Sequence, residues 1–89
     1  MILRQNLRVA ARVIDGRAVL VTIDDNRMIV LNPTGTFLWE RSDGRSLDEV
    51  AREMAKEFEV DVDRARADCT AFALDLVRRG ALLPESASQ

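Results

Sequence analysis

The sequence predicts an α+β domain, winged-helix-like, in which a three-stranded antiparallel sheet is followed by three helices. Apolar residues favour β-structure up to Leu31, an Asn32-Pro33 pair marks a change of pattern, and helical spacing governs the chain from there to about Arg79. Eighty-nine residues, 47% apolar and 31% charged, suit one hydrophobic core. A second core would leave each half too short to fold unaided.

The first strand is expected from Arg8 to Ile14, where Val9, Ala11 and Val13 recur at period two with Arg8 and Arg12 on the other side. Asp15-Gly16-Arg17 supplies turn chemistry, and Ala18 to Ile23 is a second, nearly all-apolar strand. Asp24-Asp25-Asn26 makes the next turn, before a third strand from Arg27 to Leu31. The second and third strands carry apolar side chains on both faces, more than a one-sided sheet requires.

Asn32 can cap a helix whose first position suits Pro33, and Phe37, Leu38 and Trp39 give that helix its apolar mass before Ser42-Asp43-Gly44 stops it. Ser46 and Glu49 match a capping box, behind which Leu47, Val50, Ala51, Met54 and Phe58 form one apolar face. Asp61 or Asp63 can cap the last helix, and Gly80 is placed to end it in a left-handed conformation. Ala81, Leu82 and Leu83 are expected to fold back on the core. Residues 1–83 then form one domain, and residues 84–89 a frayed tail.

The last helix carries two apolar stripes. Ala65, Cys69, Phe72, Ala73 and Leu76 make a core face, while Ala67, Ala71 and Leu74 fall on roughly the opposite side. That second stripe is either a smooth surface for another backbone or the ordinary use of Ala as a helix former.

Composition removes most enzyme chemistry. There is no histidine and no tyrosine, and Cys69 is the one thiol, so a His-ligated metal, a Cys-x-x-Cys motif and a Ser-His or Cys-His dyad are excluded within the chain. Asp24 with Asp25, and Asp61 with Asp63, sit where turns and caps already require Asp. Cys69 and Trp39 read as packing residues, and the four glycines follow no phosphate-loop spacing. No enzyme activity and no cofactor are expected.

Thirteen basic and fifteen acidic residues leave a net charge of −2, whereas a nucleic-acid domain normally shows a basic footprint. In a DNA-binding winged helix, Arg64 and Arg66 would meet the phosphates, yet Asp61, Asp63, Asp68 and Asp75 surround them. No run approaches the ~20 apolar residues that span a bilayer, and no signal peptide opens the chain, so the cytoplasm is the expected compartment.

Asp15-Gly16 before an apolar strand, then Arg27-Met28-Ile29-Val30-Leu31-Asn32-Pro33-Thr34-Gly35, resembles the Leu-Asn-x-x-Gly signature of PqqD-like proteins. Trp39-Glu40, Asp43-Gly44, the capped helix from Ser46 to Phe58, Asp68 and Gly80 continue the likeness in order, over roughly residues 9–83. The resemblance implies a non-catalytic recognition element for ribosomally made, modified peptides, in pyrroloquinoline quinone or another such biosynthesis. Such a domain holds the leader segment of a precursor peptide and presents it to a modifying enzyme, often a radical S-adenosylmethionine protein. No nucleic acid or membrane partner is expected, and the chain is expected to be a monomer or weak dimer. The leader adds as a strand to the third strand, in the groove beside the last helix. On this sequence that surface is Arg27, Met28, Ile29, Val30 and Leu31 with Arg66, Ala67, Thr70, Ala71, Leu74 and Arg78. An edge strand with unpaired backbone groups suits such addition, and the arginines could meet leader carboxylates.

Overall fold

The structure, a computed structural model, describes residues 2–85. Its elements run β1 (Leu3–Gln5), β2 (Val9–Ile14), β3 (Arg17–Thr22), β4 (Arg27–Val30), α1 (Pro33–Arg41), α2 (Leu47–Phe58), α3 (Val62–Arg78) and β5 (Leu82–Pro84). The expected three-stranded antiparallel sheet is present with β3 in the middle, in the order β2-β3-β4. Its register sets Ala11 against Leu20 and Leu20 against Ile29. One hairpin turn places Asp15 and Gly16 at positive φ; in the other, Asn26 takes φ 55°.

The helices begin where capping chemistry puts them. The Asn32 carboxamide accepts the Gly35 N–H at 2.8 Å, with Pro33 at the first helical position. Ser46 and Glu49 form the reciprocal box that opens α2, and Asp61, rather than Asp63, caps α3. α2 ends with Glu59 in the left-handed region, and Gly80 follows α3 at φ +80°.

Sheet and helices share one core. Ala18, Leu20 and Ile29 face Leu38 and Trp39 of α1, with Met54 of α2 and Cys69, Ala73 and Leu76 of α3 in the same cluster. Phe37 meets Phe58 edge to face, ring centroids 5.6 Å apart, which clamps α1 to the end of α2. The Thr36 hydroxyl accepts the Ala18 N–H at 2.8 Å, tying α1 directly to the central strand.

Two features differ from expectation. Leu3–Gln5 forms a strand, paired antiparallel with Leu82–Pro84 in a second, two-stranded sheet. Of the residues expected to form a frayed tail, Pro84 lies in β5, and the Glu85 N–H donates to the Ile2 carbonyl at 2.8 Å. The rest of that tail, residues 86–89, lies outside the described residues.

Candidate functional site

β4 is an edge strand. Antiparallel pairing turns alternate residues toward the neighbouring strand. The Leu31 N–H donates to the Ala18 carbonyl at 2.9 Å, so Ile29, in step with it, pairs with β3. Met28 and Val30 consequently aim their N–H and C=O groups at the open side. Among the described residues no strand, turn or cap bond fills that side.

Along this edge runs a crevice of about 260 Å³, lined by Arg17, Ile29, Val30, Leu31, Asn32, Phe72, Asp75, Leu76 and Arg79. The buried Ile29 and Leu31 supply apolar surface from the strand side; half-buried Phe72 and buried Leu76 supply it from α3. Its polar rim holds both signs. Arg79 pairs with Asp75 at 3.2 Å, while Arg17 joins no ion pair among the described residues. The result is an apolar trough beside a row of unpaired amides, with one free guanidinium at its rim.

The strand half of the expected site is thus brought together, with a division of labour. Ile29, Val30 and Leu31 line the crevice; the Met28 side chain is 69% exposed and shares the outer face of the sheet with Val19 and Val21. Arg27, at the far end of the strand, pairs with Asp25 at 3.5 Å.

The helix half of the expected site lies outside this crevice. Arg66, Ala67, Thr70, Ala71, Leu74 and Arg78 are exposed and take no part in lining the crevice. Ala67, Ala71, Leu74 and Arg78 lie across α3 from its buried residues Ala65, Cys69, Ala73 and Leu76, and Arg66 and Thr70 sit on the flank opposite Phe72 and Asp75. Arg66 is held by Asp48 and Asp63, each at 3.3 Å, and Arg78 by Asp75 at 3.1 Å. The side facing β4 carries Phe72, Asp75 and Arg79, spaced three and four apart along one flank of the core stripe. That spacing is visible in the sequence, but which flank meets the sheet is not.

The Leu31-to-Gly35 segment has a structural task next to this site. The Asn32 carboxamide oxygen accepts from the Gly35 N–H and from the Thr34 hydroxyl at 3.0 Å. A Cβ added to Gly35 would stand 3.2 Å from that same oxygen and 3.5 Å from Leu31 Cβ. A side chain there would crowd the cap. The segment is the joint that turns β4 into α1 and holds Leu31 and Asn32 at the crevice.

Other candidate chemistry is absorbed by structure. Asp24 accepts from Arg8, whose guanidinium holds that carboxyl below its usual pKa; Asp25 accepts from the Thr22 hydroxyl. Burial pushes the Cys69 thiol up to about 11, and its sulfur lies 3.7 Å from that of Met54, inside the core. Among the described residues no group of three or more His, Cys, Asp or Glu could hold a metal ion. Another hollow, about 560 Å³, lies away from β4 beside β1 and includes Gln5, Asn6 and Asp43. There the Gln5 N–H donates to Asp43, and the Asn6 side chain bonds both Gly80 and Arg8. Those groups close the fold.

Compared with known families, the chain matches Coenzyme PQQ synthesis protein D (PqqD) over residues 17–82. The chain belongs to the PqqD family. The matched span runs from β3 into β5 and contains every residue of the crevice. Among solved structures, "Lasso peptide synthetase B1 complexed with the leader peptide" is similar at TM-score 0.83 and 27% identity, covering 94% of this chain and 100% of that one. "TbiB1 in Complex with the TbiA(beta) Leader Peptide" shares the fold at TM-score 0.85 and 20% identity, covering 93% and 98%. A comparison with curated proteins finds no match. The winged-helix-like architecture expected from the sequence is thus that of known PqqD-like folds. In α3, the arginines that would suit a DNA groove are bound to carboxylates, Arg64 to Asp68 and Arg66 to Asp48 and Asp63.

Proposed function

We propose that this PqqD-family chain binds the leader segment of a ribosomally made precursor peptide as an added strand on β4 and presents it to a modifying enzyme, without catalysis of its own. The observation that carries this reading is the open β4 edge over an apolar crevice. Strand addition draws affinity from main-chain bonds to Met28 and Val30 and selectivity from alternate side chains entering the trough. A leader carboxylate would meet Arg17 or Arg79, which speeds encounter and sets register. The lasso peptide synthetase neighbour, described as complexed with a leader peptide, supports the ligand class.

The finer parts of the proposal come from the family resemblance. The enzyme served is a radical S-adenosylmethionine protein, in pyrroloquinoline quinone or a related peptide-modifying route, and the work is done in the cytoplasm. No helix among the described residues is long and apolar enough to cross a membrane.

The test uses Val30→Pro. Proline is tolerated where a strand N–H faces outward, and the Val30 N–H meets no partner among the described residues. Calorimetric titration with the leader segment of the cognate precursor should show wild-type binding that falls only mildly between low and high salt. The variant should keep its circular dichroism and lose at least about tenfold in affinity. A well-folded Val30→Pro protein that binds the leader unchanged would move the peptide off β4.

A further inference from the structure

The crevice beside β4 is electrically uneven along its length. The Leu31 N–H donates to the Ala18 carbonyl, which sets Arg17, one residue earlier on β3, beside Asn32. Arg17 is exposed and joins no ion pair among the described residues; Asp15, in the turn before it, does not bridge to it. Toward the other end of β3, Arg79 borders both the crevice and a hollow that holds Thr22, Asp24 and Asp25. Each arginine there already has a carboxylate: Arg79 and Arg78 share Asp75, at 3.2 and 3.1 Å, Arg8 holds Asp24, and Arg27 holds Asp25. A peptide carboxylate arriving there would meet Asp75 as well as Arg79. One arriving beside Asn32 meets a cation that has no pair to give up.

Resting on the reading of β4 as the seat of an added peptide strand, we infer that Arg17 fixes the direction and register of that strand by selecting an acidic side chain at its N-terminal end. Antiparallel pairing, slightly the more stable arrangement, runs the peptide from Asn32 toward Arg27. Its residues opposite Leu31 and Ile29 are two apart and share their face, so both enter the trough and are apolar. The residue between them, opposite Val30, turns to the outer face of the sheet. The residue before them, opposite Asn32, lies on the same face as Arg17 and two strand spacings from it, ~10 Å. Arg17 already borders the crevice across Asn32, and an aspartate or glutamate from the peptide closes the remaining gap. The ligand is therefore an extended segment reading acid, apolar, any residue, apolar from its N-terminal side. A peptide laid down in the opposite direction carries its acid to the Arg79 end, where Asp75 opposes it. Charge thus sets orientation, while the apolar pair and the main-chain bonds supply most of the affinity.

The probe is a displayed library of random peptides, selected in parallel on the full chain, on Arg17→Glu and on Val30→Pro. Wild type should enrich sequences with an acid directly before the apolar-any-apolar triplet. Arg17 is exposed, so Arg17→Glu should fold normally and turn the preference at that one position to lysine or arginine, with the apolar pair unchanged. Val30→Pro should lose the whole pattern. In a selected peptide made synthetically, replacing the acid by glutamine should weaken binding to wild type about three- to fivefold and leave binding to Arg17→Glu no weaker. An apolar pair that depends on Val30 but carries no acid preference, or one that Arg17→Glu does not reverse, would overturn the inference and leave strand addition standing. So would an acid enriched on the C-terminal side of the pair. Enrichment indifferent to Val30→Pro would instead remove β4 as the seat, and the role of Arg17 with it.

Discussion

Phe72 and Leu74 stand two positions apart on α3 and meet different surroundings. Phe72 is half-buried and lines the crevice; Leu74 is 51% exposed across the helix from the core. Full burial of a phenylalanine makes its removal cost ~3–5 kcal/mol, so Phe72→Ala should cost less, about 1–3 kcal/mol, because part of the ring is already in water. The same change should weaken leader binding about tenfold, since it removes one wall of the trough. Leu74→Arg should alter stability by no more than about 0.5 kcal/mol and leave affinity unchanged. Urea unfolding and leader titration on both variants check this. Weakened binding in Leu74→Arg with Phe72→Ala unaffected would put the peptide on the exposed stripe of Ala67, Ala71 and Leu74. In the fold, the small-residue stripe is exposed across the helix from the core.

Each helix owes its starting point to one side chain. Ser46 Oγ accepts the Glu49 N–H at 3.2 Å, and the Glu49 carboxylate reaches back to the Ser46 N–H at 3.5 Å. Ser46→Ala should cost about 1 kcal/mol. In a domain of this size that lowers the melting temperature by roughly 4–8 °C, readable by circular dichroism. Since α2 packs on α3 away from the crevice, leader affinity of the folded protein should stay the same. The strands behave differently. Cap chemistry makes a helix start local and readable, whereas an edge strand acquires meaning only from what lies beside it. β2 and β4 look alike in sequence, each a short apolar run next to a turn. α3 flanks β4 and makes a trough there; β2 projects beyond the helices with both faces largely wet. The first edge accordingly suits an extended peptide lodged between sheet and helix.

The molecule is thin, 39 × 37 × 16 Å, and β1 pairs with β5 to tie residues 3–5 and 82–84 to one another against the core. Leu3 and Leu82 are both fully buried, and the Asn6 N–H donates to the Ala81 carbonyl at 3.0 Å. Leu3→Ala should therefore destabilise the whole domain by about 2–5 kcal/mol, seen as a lower urea midpoint with an unchanged slope. A cost below ~0.5 kcal/mol would mean that β1 is an ornament rather than part of the core. Nothing in Leu3-Arg4-Gln5 announces a strand: one apolar residue in three has no period, and its partner lies at the far end of the chain. The three-stranded meander, the caps at Asn32 and Ser46, a cap at Asp61 or Asp63, the core face of α3 and the resemblance to the PqqD family were all readable, because turns, caps and periodicity act over a few neighbouring residues. Which flank of α3 meets β4, and hence that Phe72, Asp75 and Arg79 line the crevice, was not. A helix carries its pattern around its own axis, but its rotation against a sheet is settled by how the whole core packs.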